Sequence, residues 1–213
     1  MSGAVKRVYS SELRASQARE TRRVIVSAAA RLFVREGFGQ TTVDAIAEEA
    51  GVSRKTVFTA VGGKVELLKL ALDWSIAGDD EPIAVSDRPE VGRLRQERDP
   101  DALLRGYAHL LITIASRVAG LSRALTVAAG VDSEARKLWE TWQSQRHFGA
   151  RAVVAALAAL GGLREGLERA EAADIVWVHS DPALYHRLVI ERRWAKKRFE
   201  EWLYQTLRQQ LRP

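Results

Sequence analysis

The chain has 213 residues, a net charge of +6, 46% hydrophobic and 28% charged residues, and no cysteine. This balance is that of a soluble globular protein with a real core, long enough for one large or two modest domains. Without cysteine, disulfide frameworks and thiolate chemistry are excluded. The first residues (MSGAVKRVYSSEL) hold no apolar signal-peptide core, and the longest apolar run, Ala152–Leu163, is too short to span a bilayer. A cytoplasmic protein with no membrane partner is expected.

The charge is unevenly placed. Residues 1–35 carry eight Lys/Arg against two acids, a surplus of six that accounts for the whole net charge. A basic arm over residues 1–19 on a neutral body is the asymmetry expected of a nucleic-acid binder. In the chain that follows, helical periodicity dominates. Val24, Ala28, Leu32 and Ile25, Ala29, Phe33 form two i, i+4 rows on a helix from about Thr21 to Glu36, ended by Gly37. Thr42 is an N-cap for a short helix through Val43, Ile46, Ala47 and Ala50. Gly51 breaks it, and Ser53 caps a third helix from Arg54 to about Val61. After Gly62-Gly63 a fourth helix runs from Lys64 to about Ile76, so that residues 20–77 form one expected domain. Residues 78–100, with Pro82, Pro89, Gly92 and Pro100, read as a linker. Over 101–213 helices are expected near Ala102–Ala119, Leu121–Ala129, Ser133–Leu160, Glu168–His179, Pro182–Arg192 and Ala195–Gln210. Asp181-Pro182 provides a cap and a first-turn proline in order.

The second and third helices carry the most specific signal. A helix-turn-helix needs a small residue where the helices cross, a residue tolerating positive φ in the turn, and an aliphatic anchor on the second helix. Ala47, Gly51 and Val57 stand at that spacing. An ordinary helical corner would show the same three residues, so the wider stretch matters. AARLFVREGFGQTTVDAIAEEAGVSRKTVFTAVGGKVELLKLAL, over 29–72, resembles the N-terminal domain of the TetR family of transcriptional regulators. The matching pieces are Leu32-Phe33, Glu36-Gly37-Phe38, Thr41-Thr42-Val43, Ile46-Ala47, Ala50-Gly51-Val52-Ser53, Thr56-Val57-Phe58, and Lys64 with Leu67-Leu68.

The resemblance implies an all-α chain: a three-helix DNA-binding head, then a helical body for ligand sensing and dimerisation. It implies a homodimer on palindromic double-stranded DNA, an unidentified small-molecule effector, and no cofactor or metal. Arg54, Lys55 and Thr56 stand where a recognition helix reaches major-groove base edges, Arg54 suiting the O6/N7 edge of guanine. Thr42 can offer its hydroxyl to a phosphate, and Lys64 matches the family's phosphate-contacting lysine. Phe58 replaces the tyrosine common in the family, packing alike but without a phosphate hydrogen bond, and Thr59 follows it on the same helix. Gly62-Gly63 replaces the polar residue that often caps the fourth helix. The basic arm is expected to compensate with further contacts, of the minor-groove kind.

In the body, polar or aromatic residues within apolar helices are the candidate ligand contacts: His109, Thr113, Trp139, Trp142, Arg146, Trp177 and His179. The last helices offer Leu184, Leu188, Trp202, Leu203 and Leu207 as a dimer interface. Catalysis has no comparable support. The four histidines lack metal-ligand spacing such as H-E-x-x-H, no G-x-S-x-G is present, and Val65 follows Gly62-Gly63-Lys64 where a phosphate loop needs Ser or Thr. The alternatives to a ligand-released repressor are a ligand-independent DNA-binding or interaction protein and, further off, an all-α enzyme.

Overall fold

In the computed structural model residues 2–212 are described, their side chains from Arg14 onward. They are helical and contain no strand. The chain divides into two compact units, residues 1–73 and 74–213.

The first unit begins with α1 (Ser2–Gln40), followed by α2 (Val43–Glu49), α3 (Arg54–Ala60) and most of α4 (Lys64–Ala77). Helix α1 starts well before the expected Thr21. The segment ELRASQARETRR is composed almost wholly of good helix formers and holds neither proline nor glycine, so nothing stops the helix from extending. The expected arm is therefore part of a helix. A helix of about 10–12 Å diameter does not enter a minor groove about 6 Å wide as an extended arm does, so that expectation is withdrawn. Lys6 and Arg7 lie outside the described side chains.

The buried stripe of α1 is the expected one except at its first position, where Val26 takes the place of Val24. Ile25, Val26, Ala28, Ala29, Leu32 and Phe33 are buried, whereas Val24 is 39% exposed. Gly37 interrupts the helix with φ 81°, and Phe38, just beyond, folds back to stack on Phe33 at 5.8 Å between ring centroids. Ile46, Val57, Leu67 and Leu68 complete the core, each fully buried. Each such aliphatic contributes about 1.5–3 kcal/mol by leaving water. Outside the core, Glu49 accepts from Arg31 Nε at 2.7 Å and from Arg35 Nη2 at 3.3 Å, tying α2 to α1. These bonds, that of Arg31 first, hold its carboxyl below the ordinary glutamate range.

In the second unit the expected linker, 78–100, is structured: a 3-10 turn at Val85–Asp87 and α5 (Pro89–Gln96) occupy it. Arg88 explains why this Pro- and Gly-rich stretch is ordered. Its guanidinium forks onto both oxygens of Asp79, at 2.6 and 2.7 Å, with the side chain only 14% exposed. Leu94 of α5 packs on the main core.

Helix α6 (Pro100–Ala129) is the axis of this unit, with α5, α7 (Ser133–Ala159), α9 (Pro182–Tyr185) and α10 (Lys196–Leu211) packed around it and α8 (Arg169–His179) against α7. It is one helix where two were expected, because Gly120 stays helical between the buried Ala119 and Leu121. By length and composition it could cross a membrane, but here it is the core helix. Asp181 caps α9 as expected, accepting from Ala183 N at 2.8 Å. The expected helix to Arg192 is α-helical only to Tyr185; His186–Glu191 form a wider π-turn. The wide turn ends with Arg193 at φ 57° and returns Trp194 to the core, where its ring meets Trp202 edge-on at 6.2 Å.

Candidate nucleic-acid interface

The turn between α2 and α3 is built as the residue types demand. Ala47 and Val57 are 5% and 0% exposed, and Gly51 takes φ 66°. Val52 N donates to Ala47 O at 2.9 Å, closing the turn. No atom lies within 4 Å of where a Cβ on Gly51 would stand. Gly51→Ala is therefore expected to cost only the left-handed backbone penalty, about 1–2 kcal/mol, readable by circular dichroism as a lowered unfolding midpoint.

Capping fixes both helices. Thr42 Oγ1 accepts from Ala45 N at 3.1 Å and Ser53 Oγ from Thr56 N at 3.1 Å. Because Thr42 acts as an acceptor there, its O–H remains to donate. At α4 glycine supplies no capping side chain, as expected, but Glu66 reaches back to accept from Gly63 N at 3.0 Å and offsets part of that loss. This is the return half of a capping box, a signal present in the spacing Gly63-x-x-Glu66 and overlooked in the sequence.

The sequence-expected contacts divide into two groups. Thr42, Arg54, Lys55, Phe58 and Thr59 are exposed. Thr56 is half-buried, with its hydroxyl 2.8 Å from Ser53 Oγ. That engagement makes Thr56 a part of the cap more than a reader of bases. Lys64 is half-buried, its ammonium 4.1 Å above the centre of the Phe38 ring. Thr59 donates to Lys55 O at 2.9 Å, leaving its oxygen to accept. Phe58 is 46% exposed on the outer face of α3. The cause is its register. Val57 holds the inward position, so its neighbour points away.

Sequence reasoning missed Asp44. It stands on the exposed side of α2 and accepts from Arg54 Nη1 at 2.5 Å. Arg54 Cζ lies 5.5 Å from the centre of the Phe58 ring. The exposed face of α2 and α3 thus carries a guanidinium in contact with a carboxylate and with an aromatic ring, and Lys55 stands next to it in the chain.

In the second unit the structure brings together three of the seven candidate ligand residues. Arg146 has a side chain only 10% exposed, with Cζ 5.4 Å from the centre of the Trp142 ring and 5.7 Å from that of Trp177. It donates to Gln143 Oε1 at 2.5 Å, Trp177 O at 2.9 Å and Ser180 Oγ at 3.2 Å, with Asp181 Oδ2 at 3.7 Å. Burial lowers the pKa of the guanidinium, and two buried donors, Arg146 Nε and Trp177 Nε1, have no hydrogen-bond partner. Four candidates stand apart. His109 is exposed and paired with Glu200 at 2.9 Å, and Thr113 is exposed and bonded to its own helix, so neither lines an interior. Trp139 is half-buried; His179, also half-buried, bonds Ile175 O at 2.7 Å. Of the expected dimer residues, Leu203 and Leu207 are 1% and 0% exposed within the chain's own core and have no surface to share. Leu184, Leu188 and Trp202 are partly buried against that core.

Residues 25–71 match the family model described as bacterial regulatory proteins, tetR family. Over 78 residues, 37% of the chain, it is 37% identical to the HTH-type transcriptional regulator TtgW of Pseudomonas putida, a match spanning 55% of that relative. Among solved structures, a transcriptional regulator from Saccharomonospora viridis in complex with choline superposes with a TM-score of 0.70 at 17% identity, covering 91% of this chain and 98% of that one. NalD, the secondary repressor of the MexAB-OprM multidrug efflux pump in Pseudomonas aeruginosa, superposes with a TM-score of 0.65 at 19% identity, covering 92% and 98%. At these identities the likeness is one of fold.

Proposed function

Because residues 25–71 make this chain a member of the tetR family of bacterial regulatory proteins, we propose that it is a sequence-specific transcriptional regulator acting in the cytoplasm. In this reading a homodimer holds a palindromic double-stranded operator as a repressor and is released by a small-molecule effector. The observation that carries the DNA-binding part is the exposed face of α3, where Arg54, Lys55 and Phe58 project from a helix anchored by the buried Val57. The repressor role follows the example of NalD.

Effector binding is proposed at Arg146, Trp142 and Trp177. Unmet buried donors cost about 1–3 kcal/mol each, so a ligand that supplies acceptors to Arg146 Nε and Trp177 Nε1 gains what the free protein forgoes. Such a ligand has an acidic or strongly accepting group on an apolar body. The proposed dimer surface retains Leu184, Leu188 and Trp202 and adds the exposed Val178 and Ile190 of the same region, 52% and 54% exposed, in place of Leu203 and Leu207.

Selection of bound sequences from random duplex DNA at two salt concentrations tests the reading. Recovery of a palindrome with half-sites about one helical turn apart is the expected result. Weak, salt-sensitive binding with no enriched sequence refutes it. For the effector site, Arg146→Met is expected to abolish operator release by an acidic ligand while leaving operator affinity unchanged. If no acidic or neutral small molecule alters wild-type DNA affinity, the protein is a ligand-independent DNA binder.

A further inference from the structure

The side chains of Asp44, Arg54 and Phe58 raise a question that general DNA binding does not answer. A carboxylate on a face that meets phosphates opposes binding, and an exposed phenyl ring gains nothing in the free protein. An exposed ion pair such as Asp44–Arg54, with 64% and 59% of the two side chains accessible, contributes at most about 1 kcal/mol to stability. Neither the ion pair nor the ring serves the fold: Val57 anchors α3, and Thr42 and Ser53 supply its caps and those of α2.

We propose that the three residues form one reading unit for a thymine adjoining a guanine on one strand of each half-site. Arg54 takes the guanine, Phe58 takes the thymine methyl, and Asp44 is the positioning residue that fixes the guanidinium. This rests on the DNA-binding reading above and specifies the bases that it leaves open.

The chemistry of the three groups fits that step. Asp44 occupies one terminal nitrogen of Arg54, Nη1. The edge formed by Nε and Nη2 remains, and two parallel donors are what guanine O6 and N7 accept. The guanidinium lies beside the Phe58 ring, Cζ at 5.5 Å from its centre, a geometry expected of Arg at i and an aromatic at i+4 on one helix. Arg54 is thereby held at two points, by charge from α2 and by the ring from its own helix, and little side-chain entropy remains to be lost on binding. A base beside the guanine then meets the exposed part of the ring. Among major-groove edges only thymine presents an apolar group, its C5 methyl, and a phenyl ring is suited to cover it. Adenine, guanine and cytosine would each place a polar edge against Phe58 and lose a hydrogen bond to water.

The test uses the full-length protein and the palindrome recovered by selection. Enrichment of a thymine–guanine step at symmetric positions is expected. Replacing that thymine by deoxyuridine, which removes only the methyl, is expected to weaken binding about fourfold per half-site, the effect of one methyl-sized group. In Phe58→Ala the same replacement has no effect, because the methyl has already lost its partner. Asp44→Asn is expected to bind random DNA more tightly, as loss of any carboxylate on this face would, and to discriminate guanine from adenine less well; an Asp44 that does not position Arg54 would leave that discrimination unchanged. If a palindrome is bound but deoxyuridine is tolerated by the wild type, or Phe58→Ala still senses the methyl, the reading unit is refuted while DNA binding stands. If no sequence is enriched, both fall.

Discussion

Leu203→Ala is expected to lower the stability of the second unit by about 2–5 kcal/mol, the cost of a buried leucine truncated in a packed core. Leu203 is 1% exposed, on the face of α10 that also buries Phe199, Leu207 and Leu211. Its neighbours are poorly placed to close the gap. Phe199 is held between Tyr185, edge-on at 5.7 Å, and Trp202 at 5.5 Å, and ordered aromatic contacts resist the shift that would fill a cavity. All six tryptophans lie between Trp74 and Trp202, inside this unit. Urea unfolding followed by tryptophan fluorescence therefore reports it directly, as a lower midpoint at unchanged slope. The competing role is a dimer contact. If Leu203 served that role, alanine would leave the unfolding midpoint nearly intact and weaken association in sedimentation; that result would return Leu203 and Leu207 to the interface.

The contrast between the two units explains which parts of the fold were legible in the sequence. In the first, local rules sufficed. Thr42, Gly51 and Ser53 each act on the backbone within a few residues, and the structure uses them as caps and turn where the sequence put them. The helix boundaries that failed did so where a signal was absent or overridden. Between Ala4 and Thr21 no proline or glycine marks a start for α1, and Gly120 weakens a helix without ending it while tertiary packing on both sides holds it. The 78–100 stretch looked like a linker because its ordering comes from one long-range ion pair, Arg88 with Asp79, which no periodicity reveals. The candidate sites divide on the same principle. Arg54, Lys55 and Phe58 are exposed because α3 is short and Val57 fixes its rotation. Asp44 was missed because its contact crosses from one helix to another. Leu203 and Leu207 showed an apolar stripe, which is identical whether the face meets its own chain or a partner. The pairing of Arg146 with Trp142 and Trp177 across α7 and α8 was likewise visible as residue types but not as a cluster.

Arg54→Ala and Lys55→Ala are adjacent truncations with the same formal charge change, and they are expected to differ in kind. Lys55 is exposed on the outer face of α3 and suits a phosphate.

 Its exposure on that face leaves its ammonium to meet the DNA backbone as a point charge. Lys55→Ala should therefore weaken operator and random DNA by similar factors and reduce the slope of log affinity against log salt by about 1. Arg54→Ala should instead weaken the operator by about 1–3 kcal/mol more than random DNA and relax the preference at one base pair of each half-site. The Arg54 loss has a second component. Once the guanidinium is gone, the Asp44 carboxylate that it neutralised at 2.5 Å faces the DNA unpaired, and that repulsion adds to the missing guanine contact. The double variant Asp44→Asn/Arg54→Ala separates the two. It should recover part of the affinity lost in Arg54→Ala on every sequence while recovering none of the base preference. Filter or anisotropy titrations of the wild type, Asp44→Asn, Arg54→Ala and the double variant against the operator and a scrambled duplex complete the cycle. Equal losses on both duplexes for Arg54→Ala would make Arg54 a phosphate contact and transfer base reading to other residues of α3.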